Sequence, residues 1–403
     1  MKIFRNGRNE AACFLFGPPR SFLTVFSYLC ENEIISIMEN RLKVGITQGD
    51  VNGISYELII KLLAENRICE LCTPVLYGSP KVAAYYRKAL NVENFSLNTI
   101  REASEANPKR GNVVNCVDDN VKVDIGQETS ESDAASMTAL AYALGQLDKE
   151  AVDVLVVTPQ GNSSFALEEV GSLTEYLSKR YNKPEAMSIL VNDNIKIGFV
   201  TEYVKFRDVP HQITVKNIER KLNLLNDALK LDFTIQKPKI AVLGLNPQVD
   251  CKQLTEEEIN VIHPAIERAR EKGVIAIGPF AADRFFAEQM YKKFDAVLAM
   301  YHDQGAVPFS TIQEDNGAFY VAGVPVVCTS SLDDAGYDIA GQGVADEQGL
   351  RNAVYLAMDV FNNRQQNLFL QENPLPHYDI ASGSNETDLN VEQIEGVREE
   401  IDD

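Results

Sequence analysis

The residues with the most chemistry to offer lie between Asp295 and Ser310, in the run D-A-V-L-A-M-Y-H-D-Q-G-A-V-P-F-S. An apolar stretch from Ala296 to Met300, bounded by charge, reads as a strand buried in an α/β sheet. It gives way to Tyr301, His302, Asp303, Gln304 and Gly305, four hydrogen-bonding side chains and a glycine. Strand carboxyl ends are where open α/β sheets bind ligands. An imidazole followed at once by a carboxylate can make a metal ligand or a proton-transfer group. The competing reading is a loop whose polar side chains satisfy backbone groups. So little of the cluster is explicable as core that function is the better reading.

Other strand ends carry similar polar runs. Lys43–Thr47 is expected to be a first strand, Gln48–Ser55 a glycine-bearing turn, and Tyr56–Glu65 a helix with apolar residues at helical spacing. Strand, turn and helix start together form a candidate anion or nucleotide site, through free backbone N–H groups. Val152–Val157 reads as a buried strand ending in the polar loop Thr158–Ser164. Asp283 follows the expected strand Val274–Ile277 and Gly278-Pro279; Asp283 and Asp303 are each a candidate general base or a structural carboxylate. His211 and His263 adjoin prolines and read as surface or capping residues, and His377 as solvated.

The positioning elements alternate. Helices are expected at Lys81–Leu90, Ser132–Leu147, from Val215, at Glu256–Lys272 and Leu350–Arg364; strands at Pro74–Tyr77 and Lys239–Leu245; and a hairpin pairs Met187–Val191 with Ile195–Val200. This alternation implies an α/β fold. The 403 residues, 45% hydrophobic, are enough for a large core and two domains. A net charge of −20 argues against nucleic acid or an anionic membrane as partner. Seven cysteines without a spaced framework suggest a reducing, cytoplasmic setting. Cys69 and Cys72 form a CxxC without a second pair or nearby histidine, which argues against zinc or redox work. Residues 1–38 are expected to be a disordered extension or untranslated, with the start at Met38. Neither apolar piece there is long enough to span a bilayer. Residues 373–403 are expected to be an acidic, disordered tail.

Six stretches fall in one order: Val44–Asp50 (V-G-I-T-Q-G-D), Phe206–Val209, Leu245-Asn246-Pro247, Gly278-Pro279 with Ala282-Asp283, Met300–Gly305 (M-Y-H-D-Q-G) and Tyr337–Gly341. Together they resemble 4-hydroxythreonine-4-phosphate dehydrogenase, the pyridoxal-phosphate biosynthesis enzyme, from about residue 42 to about 365. The resemblance implies two α/β/α domains like those of isocitrate and isopropylmalate dehydrogenases. The expected division is 39–165 with 340–372, and 166–339. It also implies a dimer-interface active site and NAD-dependent oxidation then decarboxylation of a phosphorylated hydroxy acid, with a divalent metal (Zn, Mg or Co) polarising the oxygen.

The chain departs from that pattern at the site itself. Of three metal histidines the resemblance implies, His302 matches one, while Tyr203 and Gln248 stand at the others; phenol and amide oxygens are poor replacements for imidazole. Glu202, Asp250 and Cys251 are the available substitutes. Thr174 matches a substrate-binding threonine, but Leu173, Ser310, Phe319 and Cys328 replace a histidine, a lysine, an asparagine and an arginine. Lost cations mean lost phosphate affinity. Asp333 and Asp334 fall where the family's cofactor segment would approach a dinucleotide phosphate; no cofactor-binding residue is assigned. Two expectations follow. One is a dehydrogenase with a rebuilt site, acting on a different hydroxy acid. The other is a catalytically inactive paralogue that binds a metabolite or pairs with an intact relative, so the partner is a small molecule and either a second copy or that relative.

Overall fold

The computed structural model describes residues 41–372 apart from 66, 94, 119, 248, 250–255 and 313–316. The expected extension (1–38) and tail (373–403) lie outside the described residues. Strands β1 (Lys43–Thr47), β2 (Thr73–Gly78), β3 (Asn98–Ile100), β4 (Asn112–Asn115) and β5 (Val154–Val157) come first. Then follow β6 (Met187–Val191), β7 (Lys196–Phe199), β8 (Lys239–Leu243), β9 (Ile275–Phe280), β10 (Ala296–Ala299), β11 (Ala318–Ala322) and β12 (Cys328–Ser331). The main helices are α1 (Ser55–Ala64), α2 (Pro80–Ala89), α3 (Ser130–Leu147), α4 (Leu173–Tyr181), α5 (Val215–Leu231), α6 (His263–Glu271), α7 (His302–Ile312) and α8 (Gln348–Glu372). Caps mark several starts: Ser79 accepts from Val82 N, and Thr129 and Ser132 close a reciprocal box at α3.

All these strands join one sheet in the order β3-β4-β2-β1-β5-β12-β11-β6-β7-β10-β8-β9. Pairing is parallel except where β11 meets β12 and β6, and where β6 meets β7. Central strands are apolar on both faces because helices cover both. The antiparallel patch in the middle is where strand direction reverses, and it positions the site.

The structure departs from the sequence reading in three places. Strands β11 and β12 were not expected. His302–Gly305, for which a loop was the competing reading, begins helix α7. The helix expected over Glu256–Lys272 contains a π turn at Glu258–Ile262, directly ahead of Pro264, which has no N–H to give the preceding turn. Cys69 and Cys72 are buried free thiols, and burial pushes Cys72 up to about 12, an inert state. No helix among the described residues is long and apolar enough to cross a membrane.

Candidate functional site

A cavity of about 330 Å³ opens over the sheet's reversal. Its floor is a lateral row of paired residues, Val157, Ser330, Phe319 and Leu190, one each from β5, β12, β11 and β6. Strands β5 and β12 are parallel neighbours, so the loops leaving them, Thr158–Asn162 and Leu332-Asp333, form one rim. Parallel β7 and β10 deliver Glu202-Tyr203 and His302 to the opposite side. Those two exits are tied together: Val200 N donates to Ala299 O (2.9 Å), and Thr201 Oγ1 to Met300 O (2.8 Å). The sheet thus gathers residues more than a hundred positions apart around one small volume.

His302 is half-exposed, its ring stacked on Phe199 (5.5 Å between centroids) and tilted against Tyr203 (5.9 Å). Its Nδ1 lies 2.9 Å from Asp303 Oδ1. A carboxylate only accepts, so Nδ1 carries a hydrogen, and in the neutral ring that leaves the lone pair on Nε2. Gln304 does structural work: it accepts from Met300 N (2.7 Å) and donates to Gly244 O (2.6 Å), clamping the ends of β10 and β8. At Gly305 a Cβ would sit 2.7 Å from Ile197 and Phe199, so only glycine lets α7 approach β7. The M-Y-H-D-Q-G run therefore divides into a packing half and a chemical half.

On the rim, Gln160 Oε1, Ser331 Oγ and Asp333 Oδ2 are all buried without a hydrogen-bond partner. Burial pushes the Asp333 carboxyl above its ordinary range. The nearby Ser331 hydroxyl and the Asp333 backbone amide partly offset this; Asp334 and Asp346 add to it. Ser331 lies close enough to act on that carboxyl, though its oxygen is not in hydrogen-bonding geometry. Glu202, across the cavity, is fully engaged: Ser188 donates to it through both N (2.9 Å) and Oγ. Thr174 Oγ1 in turn meets Ser188 Oγ at 2.7 Å.

Behind the rim lies a second polar cluster. Asp50 accepts from Asn52 N (2.8 Å), Tyr337 OH (2.6 Å) and Ser132 Oγ (3.3 Å), and Asp133 accepts from Ser164 Oγ (2.6 Å). Both carboxylates press against Gly161, where a Cβ would lie 2.2 Å from Asp133 and 2.9 Å from Asp50. Burial first, and then Asp50 and Glu128, push the Asp133 carboxyl up, against the Ser164 hydrogen bond. Sequence reasoning missed this network, because nothing in spacing links Asp50, Asp133 and Tyr337.

A family model described as pyridoxal phosphate biosynthetic protein PdxA matches residues 70–357. The chain belongs to the PdxA family. It is 44% identical over 342 residues to a 4-hydroxythreonine-4-phosphate dehydrogenase of Bacteroides thetaiotaomicron, covering 84% of this chain and 93% of that relative. The enzyme of the same name from a Sulfurihydrogenibium species is 32% identical, over 79% of this chain and 98% of its own. The crystal structure of the Klebsiella pneumoniae 4-hydroxythreonine-4-phosphate dehydrogenase superposes with a TM-score of 0.69 at 25% identity, covering 80% of this chain and all of that one. The expected α/β dehydrogenase fold is thus the fold of the PdxA family. These relatives all carry dehydrogenase names, which lends nothing to the inactive-paralogue expectation.

The positions carried over from the PdxA pattern do not all meet. His302, Tyr203, Glu202, Leu173, Phe319 and Asp333 line the one cavity. Thr174 is buried behind it, holding Ser188. Asp303 touches His302 from the exposed side, and Asp283 is exposed on the short helix Ala282–Ala287, outside the lining. Ser310 is exposed on α7, and Cys328 is fully buried in β12, its thiol pushed up to about 12 by burial. Gln248, Asp250 and Cys251 fall outside the described residues. Among the described residues no three His, Cys, Asp or Glu side chains converge as a metal site. The nucleotide site expected at Gln48–Ser55 is also corrected. The amides of Gln48, Asp50, Asn52, Gly53 and Ile54 all donate to internal oxygens, so they form no phosphate cradle.

Proposed function

We propose that this chain is a dehydrogenase that oxidises a hydroxyl-bearing metabolite in the His302 cavity. The observation that carries the reading is the His302 ring on the cavity wall with its Nδ1 held by Asp303. A ring fixed in that tautomer presents Nε2 to accept the hydroxyl proton as the carbinol carbon is oxidised, and Asp303 steadies the resulting imidazolium. Thr174 is a positioning residue: through Ser188 it fixes Glu202 on the cavity wall. Asp283 has no part in this reading. NAD is the hydride acceptor that the family resemblance implies, and the chain's own residues supply the proton chemistry.

The same resemblance supports a cytoplasmic homodimer of two-lobed subunits, divided as 39–165 with 340–372, and 166–339. Lys61 Nζ on Gly343 O (2.9 Å) ties α1 to residues late in the chain, as that division requires. The test is NADH formation by the purified protein with a panel of hydroxy acids and amino alcohols, starting with 4-hydroxythreonine 4-phosphate. One panel member should be oxidised, and His302→Ala should lower kcat/KM by about 100-fold, the ordinary worth of a general base. No NADH with any panel member, or an unaffected variant, would overturn the reading.

A further inference from the structure

A second cavity, larger at about 940 Å³, lies on the other side of the same strands. Residues alternate faces along a strand. Leu190 and Phe319 face the His302 cavity, while their neighbours Val191 and Ala318, paired across β6 and β11, face this one. The tip of the β6–β7 hairpin, Asp232-Phe233 and the part of α8 from Gln348 to Asn363 form its walls. Among the described residues Lys196 is the one cationic side chain in the lining. A lysine on a hairpin ordinarily carries its ammonium out to water on its long stem. Here the side chain is half-buried and the ammonium lies over the Phe233 ring, 5.1 Å from its centroid. Among the described residues it has neither an ion pair nor a hydrogen bond. Burial pulls it below its ordinary range, against the opposing pull of Asp295 and Asp193. On the same hairpin, Asn192 Oδ1 accepts from Asn194 N (2.9 Å) and Ile195 N (2.8 Å), but its Nδ2 is buried with no acceptor.

Both open groups are donors, and one carries a charge, so a single anionic group answers both. Leaving such donors unmet in a buried wall is costly, and native proteins keep few of them. The rest of the lining sets the other properties of the ligand. Phe233, Leu356 and Val360 offer it apolar surface. Asp193 and Asp359, also in the lining, oppose a second negative charge. We propose that this cavity is a second ligand site, apart from the His302 cavity, for a singly charged carboxylic acid with an apolar body. The carboxylate is placed at Lys196 and Asn192, and the body along Leu356 and Val360. The volume lies toward the upper end of ordinary ligand pockets and leaves room for a ring or a short chain.

The test titrates phenylacetate and phenylacetamide, one body with and without the charge, into the full chain by calorimetry. Phenylacetate should bind at least about tenfold more tightly, the worth of one charge-assisted hydrogen bond. Lys196→Met keeps the apolar stem, removes the ammonium and should abolish that preference. Asn192→Asp keeps the oxygen the turn needs, replaces the open donor with a negative charge, and should abolish it too. His302→Ala, across the sheet, should leave the preference unchanged, which also separates this site from the dehydrogenase reading. In the unaltered protein, phenylacetate at several times its Kd should slow trinitrobenzenesulfonate labelling of Lys196 about fivefold, read by mass spectrometry. Labelling of Lys149, exposed beyond the end of α3, should not change. An amide that binds as tightly as the acid, a preference that survives Lys196→Met, a preference lost in His302→Ala, or unslowed labelling of Lys196 would each overturn the proposal.

Discussion

Two polar, glycine-bearing turns leave neighbouring strands of this sheet, Gln48–Ser55 after β1 and Thr158–Asn162 after β5, the latter sharing its rim with Ser331–Asp333. In composition they look alike. In the first, every polar group followed above is spent: Asp50 takes three donors, Gln48 accepts from Tyr56 OH (2.8 Å), and Ser55 Oγ donates to Pro159 O (2.8 Å). In the second, acceptors are buried and left open. The first turn is a brace for the second, since Asp50 N and Ser55 Oγ both bond Pro159 O on the rim. A polar cluster at a strand end is therefore no guide to ligand binding until its hydrogen bonds are accounted for. A satisfied cluster holds structure, and an unsatisfied one awaits a ligand.

The contrast can be broken most forcefully at Asp50. Asp50→Ala strands Tyr337 OH and Asn52 N, and should cost about 3 kcal/mol in urea unfolding. A loss below about 1 kcal/mol would show that the brace carries little of the fold.

Asp133 sharpens the contrast through pH. Its folded carboxyl is raised above the unfolded value of about 3.9, chiefly by burial. A raised carboxyl favours folding below the unfolded value and loses that contribution as pH rises through the folded one, so the ionised group is a burden at neutral pH. Asp133→Asn keeps an acceptor for Ser164 and should stabilise the protein at neutral pH by about 1 kcal/mol. Thermal melts should show that gain vanish near pH ~4. A gain independent of pH would assign the effect to packing.

The smallest effect is expected at the open rim. Ser331→Ala removes a hydroxyl with no partner, so stability should change by less than about 0.5 kcal/mol, or rise. A loss of about 1 kcal/mol or more would mean the hydroxyl is bonded in the unliganded protein, and the distinction between the two turns would fail at that residue.

Much of the framework was legible in the residues. Apolar runs and helical spacing located β1, α3, α5 and the β6–β7 hairpin to within a few positions, and the ordered motifs pointed to the family. The site was legible only in part. His302 stood out because imidazole beside carboxylate at a strand end has few structural uses. Gln304 and Gly305, from the same motif, proved to be packing residues, which only their contacts with Met300, Gly244 and Phe199 reveal. Thr174 looked like a ligand contact and is a support for Ser188.

What the sequence determined by itself was local: which segments are strands or helices, which end in polar residues, and which positions lack the cations a phosphate needs. Those follow from side-chain periodicity and charge, which are properties of neighbours in the chain. Tertiary structure alone decided that β11 enters the sheet antiparallel between β12 and β6. That reversal brings Gln160, Ser331 and Asp333 to one cavity with His302. It also leaves their polar atoms open while those of the adjoining turn are closed, because hydrogen-bond satisfaction depends on which distant strands lie side by side.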